Sequence, residues 1–164
     1  MLTLWTVRVG LVFYFAAGML WTVSRARPRL VPPTRLLWSI ACALNIAHVL
    51  AAFHDHHGWS HAAAYEHTAE RTEALLGLDW GGGVYFNYLF VLVWTADVTW
   101  WWLSPGSYRS RARWIRFAHL ATHSYLFFIV LNATVIFETG GMRAFGALGC
   151  LALLTTLVMT RRRK

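Results

Sequence analysis

Five apolar stretches, each close to the length of a bilayer crossing, constrain this chain more strongly than any other feature. A crossing helix needs roughly 20 mainly apolar residues, and every backbone polar group left unpaired in hydrocarbon is costly. The stretches cover residues 2–24, 36–53, 84–103, 115–137 and 142–160. The sequence therefore predicts an all-α fold, a polytopic membrane helix bundle of five transmembrane helices that forms one integral membrane domain over residues 1–164.

The composition indicates a membrane protein and argues against two other classes. The chain is 57% hydrophobic and 13% charged, with a mean hydropathy of +0.44, which is typical of a polytopic membrane protein. Its net charge of +8 does not indicate a nucleic-acid partner, because the basic residues form short blocks between the spans. Cys42 and Cys150 both lie in predicted spans, which supports neither a disulfide framework nor a thiolate zinc site. We expect the lipid bilayer, and possible further membrane subunits, as partners.

The distribution of charge predicts the orientation. Twelve of the 15 basic residues lie at the ends of spans that a five-span chain places on one side of the membrane. They are Arg25, Arg27, Arg29, Arg35, Arg109, Arg111, Arg113, Arg116, Arg161, Arg162, Arg163 and Lys164. Because Lys and Arg are enriched in cytoplasmic loops, this side is predicted to be cytoplasmic. We therefore expect a multi-pass protein of the cell membrane, with its N-terminus outside and its C-terminus in the cytoplasm.

The loop at 54–83 is predicted to lie outside and to contain a short extracytoplasmic helix. Ser60 is a suitable N-cap, residues 61–76 are rich in helix formers, and Gly77 suits the left-handed position that ends a helix. Helical spacing places the acidic side chains of this segment together on a face that we expect to meet water. They are Glu66, Glu70 and Glu73.

Histidine density in and beside this loop indicates a metal site. Six of the eight histidines lie between residues 48 and 73, and nitrogen and oxygen ligands of this kind suit zinc, copper or iron. The predicted ligands are His48, His54, His57 and His61, with His56 and Asp55 as alternates. The alternative interpretation is a polar, pH-sensitive loop whose histidines bond to backbone and water.

A second polar group is predicted inside the membrane. Counting inward from the span ends at about 1.5 Å per residue places Asp97, His119 and His123 at similar depths. An ionised carboxylate in hydrocarbon needs a partner, so we interpret the group as a proton route or a secondary polar site. The alternative is that Asp97 bonds to His119 or to an arginine and only fixes the helix packing.

The HxxxH pattern at His57/His61 and His119/His123 resembles the histidine boxes of membrane fatty-acid desaturases and hydroxylases, in which several boxes converge on two irons. This sequence departs from that pattern because it has no HxxHH box. Its two pairs are also expected on opposite sides of the bilayer. The resemblance therefore implies no shared di-iron site and transfers no residue role.

Histidines on separate spans also resemble those of membrane proteins that bind b-type haem between two imidazoles. His48 and His123 are predicted at nearly equal depths and are the candidate haem ligands. Aromatic residues on the third and fourth spans are candidates for the wall of a haem or quinone site. They are Phe86, Phe90, Trp94, Phe127 and Phe128.

Three functional hypotheses follow from these patterns. The first is a metal- or haem-dependent membrane oxidoreductase with its centre at the outer face. The second is a channel or transporter for protons or metal ions, because acidic and histidine side chains gather cations at that face. The third is a non-catalytic subunit of a larger membrane complex. The sequence indicates no particular substrate.

Overall fold

The computed structural model describes residues 2–24, 27–110 and 112–162, and its regular structure in these ranges is entirely helical. Arg25, Arg111, Arg163 and Lys164 of the predicted basic blocks lie outside the described residues. The helices are α1 (Leu2–Ser24), α2 (Val31–His56), α3 (His61–Leu76), α4 (Gly83–Leu103), α5 (Pro105–Tyr108), α6 (Arg113–Leu131) and α7 (Gly140–Arg162). The prediction of an all-α fold is confirmed.

Four segments of the described chain are long and apolar enough to cross a membrane. They are Thr3–Ser24, Pro28–His56, Arg113–Ile136 and Gly140–Thr160. The helix α4 has 21 residues but is not among them. Its polar Asn87 and Asp97 and its many tryptophans lower its hydropathy, although it matches the predicted third span in position.

The helix α2 is longer than the predicted span at 36–53. A 3₁₀ turn at Pro28–Leu30 leads into it, and its last turns contain His54 and His56. The chain reverses after it at Gly58 and Trp59, whose φ values of 52° and 63° are left-handed. This break separates His57 from His61, so the two imidazoles are not carried by one helix.

The helix α3 has the predicted bounds and caps. The Ser60 hydroxyl accepts a hydrogen bond from the backbone N–H of Ala63, and Gly77 ends the helix with a φ of 69°. The side chains of Glu66, Glu70 and Glu73 are exposed, as predicted. This helix contacts α4, which places it beside the end of the bundle where α2 finishes.

The helix α6 ends in a wide π-type turn that positions α7. This turn spans Asn132–Ile136, and the N–H of Phe137 donates to the carbonyl of Asn132 at 3.0 Å. A Cβ at Gly146 of α7 would collide with the side chain of Thr134, and one at Gly149 would collide with the ring of Phe15. Both glycines therefore allow α7 to pack closely against its neighbours.

Aromatic side chains form the centre of the bundle. Tyr14 of α1 lies between Trp38 of α2 and Trp94 of α4, with ring-centroid distances of 5.6 Å and 5.5 Å. The two tryptophan rings are 4.9 Å apart, and all three residues are at most 3% exposed. This aromatic layer separates an arginine-rich end, with Arg35 and Arg113, from a histidine-rich end where α2 finishes and α3 begins.

Candidate functional site: a buried aspartate and two histidines

Three side chains with metal-ligating atoms meet on the arginine side of the aromatic layer. Asp97 comes from α4, and His119 and His123 come from successive turns of α6. One ligand atom from each residue lies within 4.8 Å of the others. Asp97 and His119 are buried, and His123 is half-buried. We call these three residues the buried Asp–His group, and within the described residues it is the only group of three such side chains this close.

The carboxylate of Asp97 is held by two hydrogen-bond donors from other parts of the chain. The indole N–H of Trp38 donates to Oδ2 at 2.8 Å, and the hydroxyl of Tyr108 donates to the same oxygen at 3.1 Å. A carboxylate has about four lone-pair positions, so acceptor capacity remains after these bonds. The carboxylate is therefore fixed in place and can still bind a cation.

The imidazole of His119 has one nitrogen committed and one open. Its Nε2 lies 2.7 Å from the backbone carbonyl of Tyr108. Because a carbonyl only accepts, Nε2 carries the hydrogen, and Nδ1 of the neutral ring carries the lone pair. This Nδ1 is buried and has no hydrogen-bond partner among the described residues. Metal-bound histidines commonly donate their other ring N–H to a backbone carbonyl in this manner.

The ring of His123 is packed among aromatic rings. Its centroid lies 4.5 Å from that of Trp21, 5.3 Å from that of Trp38 and 6.0 Å from that of His119. The rings of His119 and His123 are near parallel, 24° apart, because the two residues are four positions apart on one helix. This packing limits the orientations that His123 can adopt beside Asp97.

The spacing of the group fits a metal ion after a small contraction. Ligand atoms around a tetrahedral zinc at about 2.1 Å lie roughly 3.4 Å from one another. The present maximum separation is 4.8 Å. Each ligand atom would move by about 1 Å or less to reach coordination distance, a change within the range of side-chain rotation.

Sequence reasoning did not identify Trp38 and Tyr108 as supports of Asp97. It expected a histidine or an arginine as the partner, whereas the described structure supplies an indole and a phenol. Tyr108 ends the four-residue helix α5, which folds back so that this side chain is only 2% exposed. Tyr108 lies in a connection between two predicted spans, and nothing in the sequence around it indicates burial.

A cavity of about 590 Å³ adjoins the group, and we call it the arginine-end cavity. The rings of His119 and His123 form part of its wall. Arg113 and Arg116, in the first turn of α6, form another part. Its volume lies in the usual range for small-molecule sites. The buried Asp–His group is therefore adjacent to a space that can hold a ligand.

The four histidines predicted as outer ligands have separate partners. Nδ1 of His48 donates to the carbonyl of Thr3 at 2.9 Å, and Nδ1 of His54 lies 3.0 Å from the carboxylate of Asp55. Both ring nitrogens of His61 contact tyrosine hydroxyls, that of Tyr88 at 2.9 Å and that of Tyr85 at 3.3 Å. No three of the four bring ligand atoms together in the described chain.

The fourth of these histidines, His57, lies against His67. Their ring centroids are 5.4 Å apart. Burial lowers the pKa of His57, and the nearby His67 and His56 lower it further. The folded chain therefore favours the neutral form of this imidazole.

The two histidines predicted to clamp a haem line different cavities. His123 lines the arginine-end cavity, whereas His48 lines a second cavity of about 620 Å³ that also contains His57 and Glu138 in its wall. We call this second space the histidine-end cavity. The described structure does not bring the two imidazoles to opposite faces of one space.

Comparison of the chain with models of protein families, with curated proteins and with solved structures finds no match. The functional interpretation therefore depends on the geometry of the buried Asp–His group and of the cavities around it.

Proposed function

We propose that this chain is an integral membrane oxidoreductase that binds one divalent transition metal, iron by preference, through Asp97, His119 and His123. The observation that carries the proposal is the convergence of their ligand atoms within 4.8 Å at a buried position. One carboxylate and two imidazoles are the ligand set of many non-haem iron(II) sites, and zinc accepts the same atoms. Bound iron supplies redox chemistry, and bound zinc supplies a Lewis acid.

The surroundings of the group support a catalytic site more than a structural one. Three protein ligands leave coordination positions free, and the two histidines face the arginine-end cavity. Trp38 and Tyr108 fix the carboxylate, and the carbonyl of Tyr108 fixes the tautomer of His119. In this proposal the chain orients all three ligands from outside the metal shell, and the cavity admits the substrate.

Metal content of purified variants tests this proposal. Wild-type protein reconstituted with iron(II) under anaerobic conditions, then freed of excess metal, is expected to retain about one iron per chain by elemental analysis. His119→Ala and His123→Ala should each retain less than a tenth of that amount. His54→Ala and His61→Ala are matched controls from the histidine-rich end and should retain the wild-type content.

Two outcomes would contradict the proposal. If the His54 and His61 variants lose the metal while the His119 and His123 variants keep it, the centre lies at the histidine-rich end. If neither the wild type nor any of the four variants retains metal, the buried Asp–His group serves only to stabilise the packing of the helices.

We further propose that α4 is a fifth span, with α3 outside the cell and the arginine-rich end in the cytoplasm. The burial of Asp97 against Trp38 and Tyr108 supports this, because its polar atoms are then shielded from lipid. Exposed arginines at one end of the bundle, Arg29, Arg109, Arg113 and Arg116, follow the positive-inside rule. A green fluorescent protein fused to the C-terminus should fluoresce, and alkaline phosphatase fused after Gly77 should be active.

A second candidate function is the passage of protons or metal ions. Tyr14 lines both the arginine-end and the histidine-end cavities, and its packing between Trp38 and Trp94 closes the space between them. In proteoliposomes, Tyr14→Ala should raise proton or metal-ion flux above wild type by opening this aromatic layer. Tyr85→Ala, on the exposed side of α4, is the matched control. Equal flux in all three proteins would contradict passage through the layer.

A further inference from the structure

The arginine-end cavity has a charged part and an apolar part. Arg113 and Arg116 lie at the start of α6, and no Asp or Glu is among the lining residues. The described residues place no carboxylate in ion-pair contact with either guanidinium. The rest of the wall is largely apolar, with Phe117, Leu120, Phe127, Leu153, Leu154 and Leu157 among its members.

The wall of the cavity includes side chains of α6 and α7 that are exposed on the outer surface of the bundle. Phe117, Leu120 and Leu154 line it and are 71%, 59% and 46% exposed. In a membrane-spanning bundle, apolar side chains exposed at this depth face lipid chains. A ligand can therefore enter from the bilayer without passing through water.

We infer that the arginine-end cavity binds an amphiphile with one long apolar chain and an anionic head group. Guanidinium groups bind carboxylate and phosphate oxygens through strong charge-assisted hydrogen bonds. The helix between Arg116 and Phe127 rises by about 16 Å, which gives the apolar chain a path from the arginines past His119 and His123. Binding itself does not require the metal; the role of this amphiphile as the substrate of the centre rests on the proposed function.

The charge complementarity distinguishes this occupant from others. A cation would meet two positive side chains at the charged part, and a neutral lipid would leave both guanidiniums without an anionic partner. A lipid with two chains needs about twice the apolar volume that one chain needs, whereas the whole cavity, including its charged part, has a volume of about 590 Å³. The arrangement therefore favours one chain and one negative head group.

Quenching of tryptophan fluorescence by a brominated fatty acid tests the inference. Trp21 and Trp38 line the cavity, so dibromostearate bound there should quench both. The titration is made on chelator-treated protein in uncharged detergent, so its failure would leave the metal proposal untouched. Oleate should displace the probe at least about tenfold more strongly than oleyl alcohol, which has the same chain and no charge.

Two sets of variants locate the binding. Arg113→Gln with Arg116→Gln should weaken oleate about tenfold or more and leave oleyl alcohol unchanged, whereas the Lys pair should retain most of the affinity. Arg29→Gln removes an exposed arginine from the same end and is the matched control. Leu157→Phe should weaken both ligands because its ring fills part of the apolar space, and it adds no tryptophan to the fluorescence signal. Variants are compared only where the melting temperature matches wild type.

Three results would overturn the inference. Equal displacement by oleate and oleyl alcohol would show that no anionic head-group site exists. An unchanged affinity in both the arginine pair and Leu157→Phe would place the ligand elsewhere. Stronger displacement by dioleoyl phosphatidic acid than by either single-chain ligand, oleate or lysophosphatidic acid, would show that the site accepts two chains. If the single-chain ligands bind more strongly, the comparison of oleate with lysophosphatidic acid identifies carboxylate or phosphate as the preferred head group.

Discussion

The buried Asp–His group and the histidine-rich end contain the same kind of side chain in different surroundings. In the buried group, His119 and Asp97 are 6% and 5% exposed, and their hydrogen-bond partners come from two other parts of the chain, Trp38 of α2 and Tyr108 of α5. At the histidine-rich end, the side chain of His54 is 73% exposed and bonds to the adjacent residue. Histidine density in the sequence therefore did not indicate which imidazoles lie together; burial and fixed partners did.

Replacing the acidic residue of each region, Asp97 or Asp55, should produce the largest difference in thermal stability between the two regions. In metal-free protein, Asp97→Ala leaves the buried donors of Trp38 and Tyr108 without an acceptor. Unsatisfied buried groups of this kind cost about 1–3 kcal/mol each, so we expect a loss of about 2–4 kcal/mol. The melting temperature in detergent should fall by about 4–16 °C for a chain of this size.

Asp55→Ala is the matched control, because this acid is exposed at the histidine-rich end. We expect no measurable change in its melting temperature. Asp97→Asn keeps one acceptor oxygen and should lose less stability than Asp97→Ala, while still losing metal. A drop after Asp55→Ala as large as that after Asp97→Ala would remove the distinction between the two regions.

Removing one support of the buried group should have an intermediate effect. Trp38→Phe keeps an aromatic ring but deletes the N–H that donates to Asp97 at 2.8 Å. Groups that orient metal ligands typically change affinity 10–100-fold, so we expect metal binding to weaken by that factor. Competition with a chelator of known affinity measures it.

Trp102→Phe provides the comparison for this change. Its indole N–H donates to Ser39 at an exposed position, also across α4 and α2. Metal affinity should remain within about twofold of wild type. Equal weakening in both variants would mean that the effect comes from loosened helix packing rather than from the orientation of Asp97.

The histidine-rich end should show the smallest effect, as a dependence of stability on pH. The pKa of His57 is lowered in the folded chain, so the unfolded chain takes up the proton first. Its contribution to stability is therefore present above about pH 6.5 and is lost as pH falls through the lowered pKa. His57→Gln should flatten the dependence of the melting temperature on pH between pH 7 and 5.

The groups near His57 define the control for that measurement. His67 of α3 and His56 of α2 lie against it, and His48 and Glu138 line the same cavity. His54→Gln changes an exposed histidine outside the His57–His67 contact and should leave the pH dependence unchanged. If His54→Gln flattened the pH dependence and His57→Gln did not, the dependence would arise from a group other than His57.

Local signals predicted much of the fold. Ser60 and Gly77 marked both ends of α3, because capping depends on residues adjacent in sequence. The helix α2 continues to His56, beyond the apolar stretch at 36–53, because charged and polar residues there lower the hydropathy without breaking the helix. The mean hydropathy of α4 is lower than that of the other long helices, because Asp97 and the four tryptophans of this helix count as polar. Most of these side chains are nevertheless buried or half-buried.

Helix geometry predicted the depths of the three ligating side chains of the candidate site, but not the residues that support them. Counting residues from the span ends placed Asp97, His119 and His123 at similar depths, and the structure brings them together. It does not determine which way a connection folds, so the return of Tyr108 into the core was not foreseen. The outer histidines fail to converge because the turn at Gly58 and Trp59 directs His61 toward the tyrosines of α4.

The close approach of Gly146 to Thr134 fixes the position of α7 relative to the end of α6. The helix α7 contacts the π-type turn at Gly146, and residues near the other ends of the two helices, Arg113 of α6 and Leu157 of α7, line the arginine-end cavity. Leu157 lies eleven residues beyond Gly146, or about 16 Å along the helix. The width of the arginine-end cavity therefore depends on Gly146, which does not line the cavity. A larger residue at this position would change the width of the apolar chain that the cavity accepts.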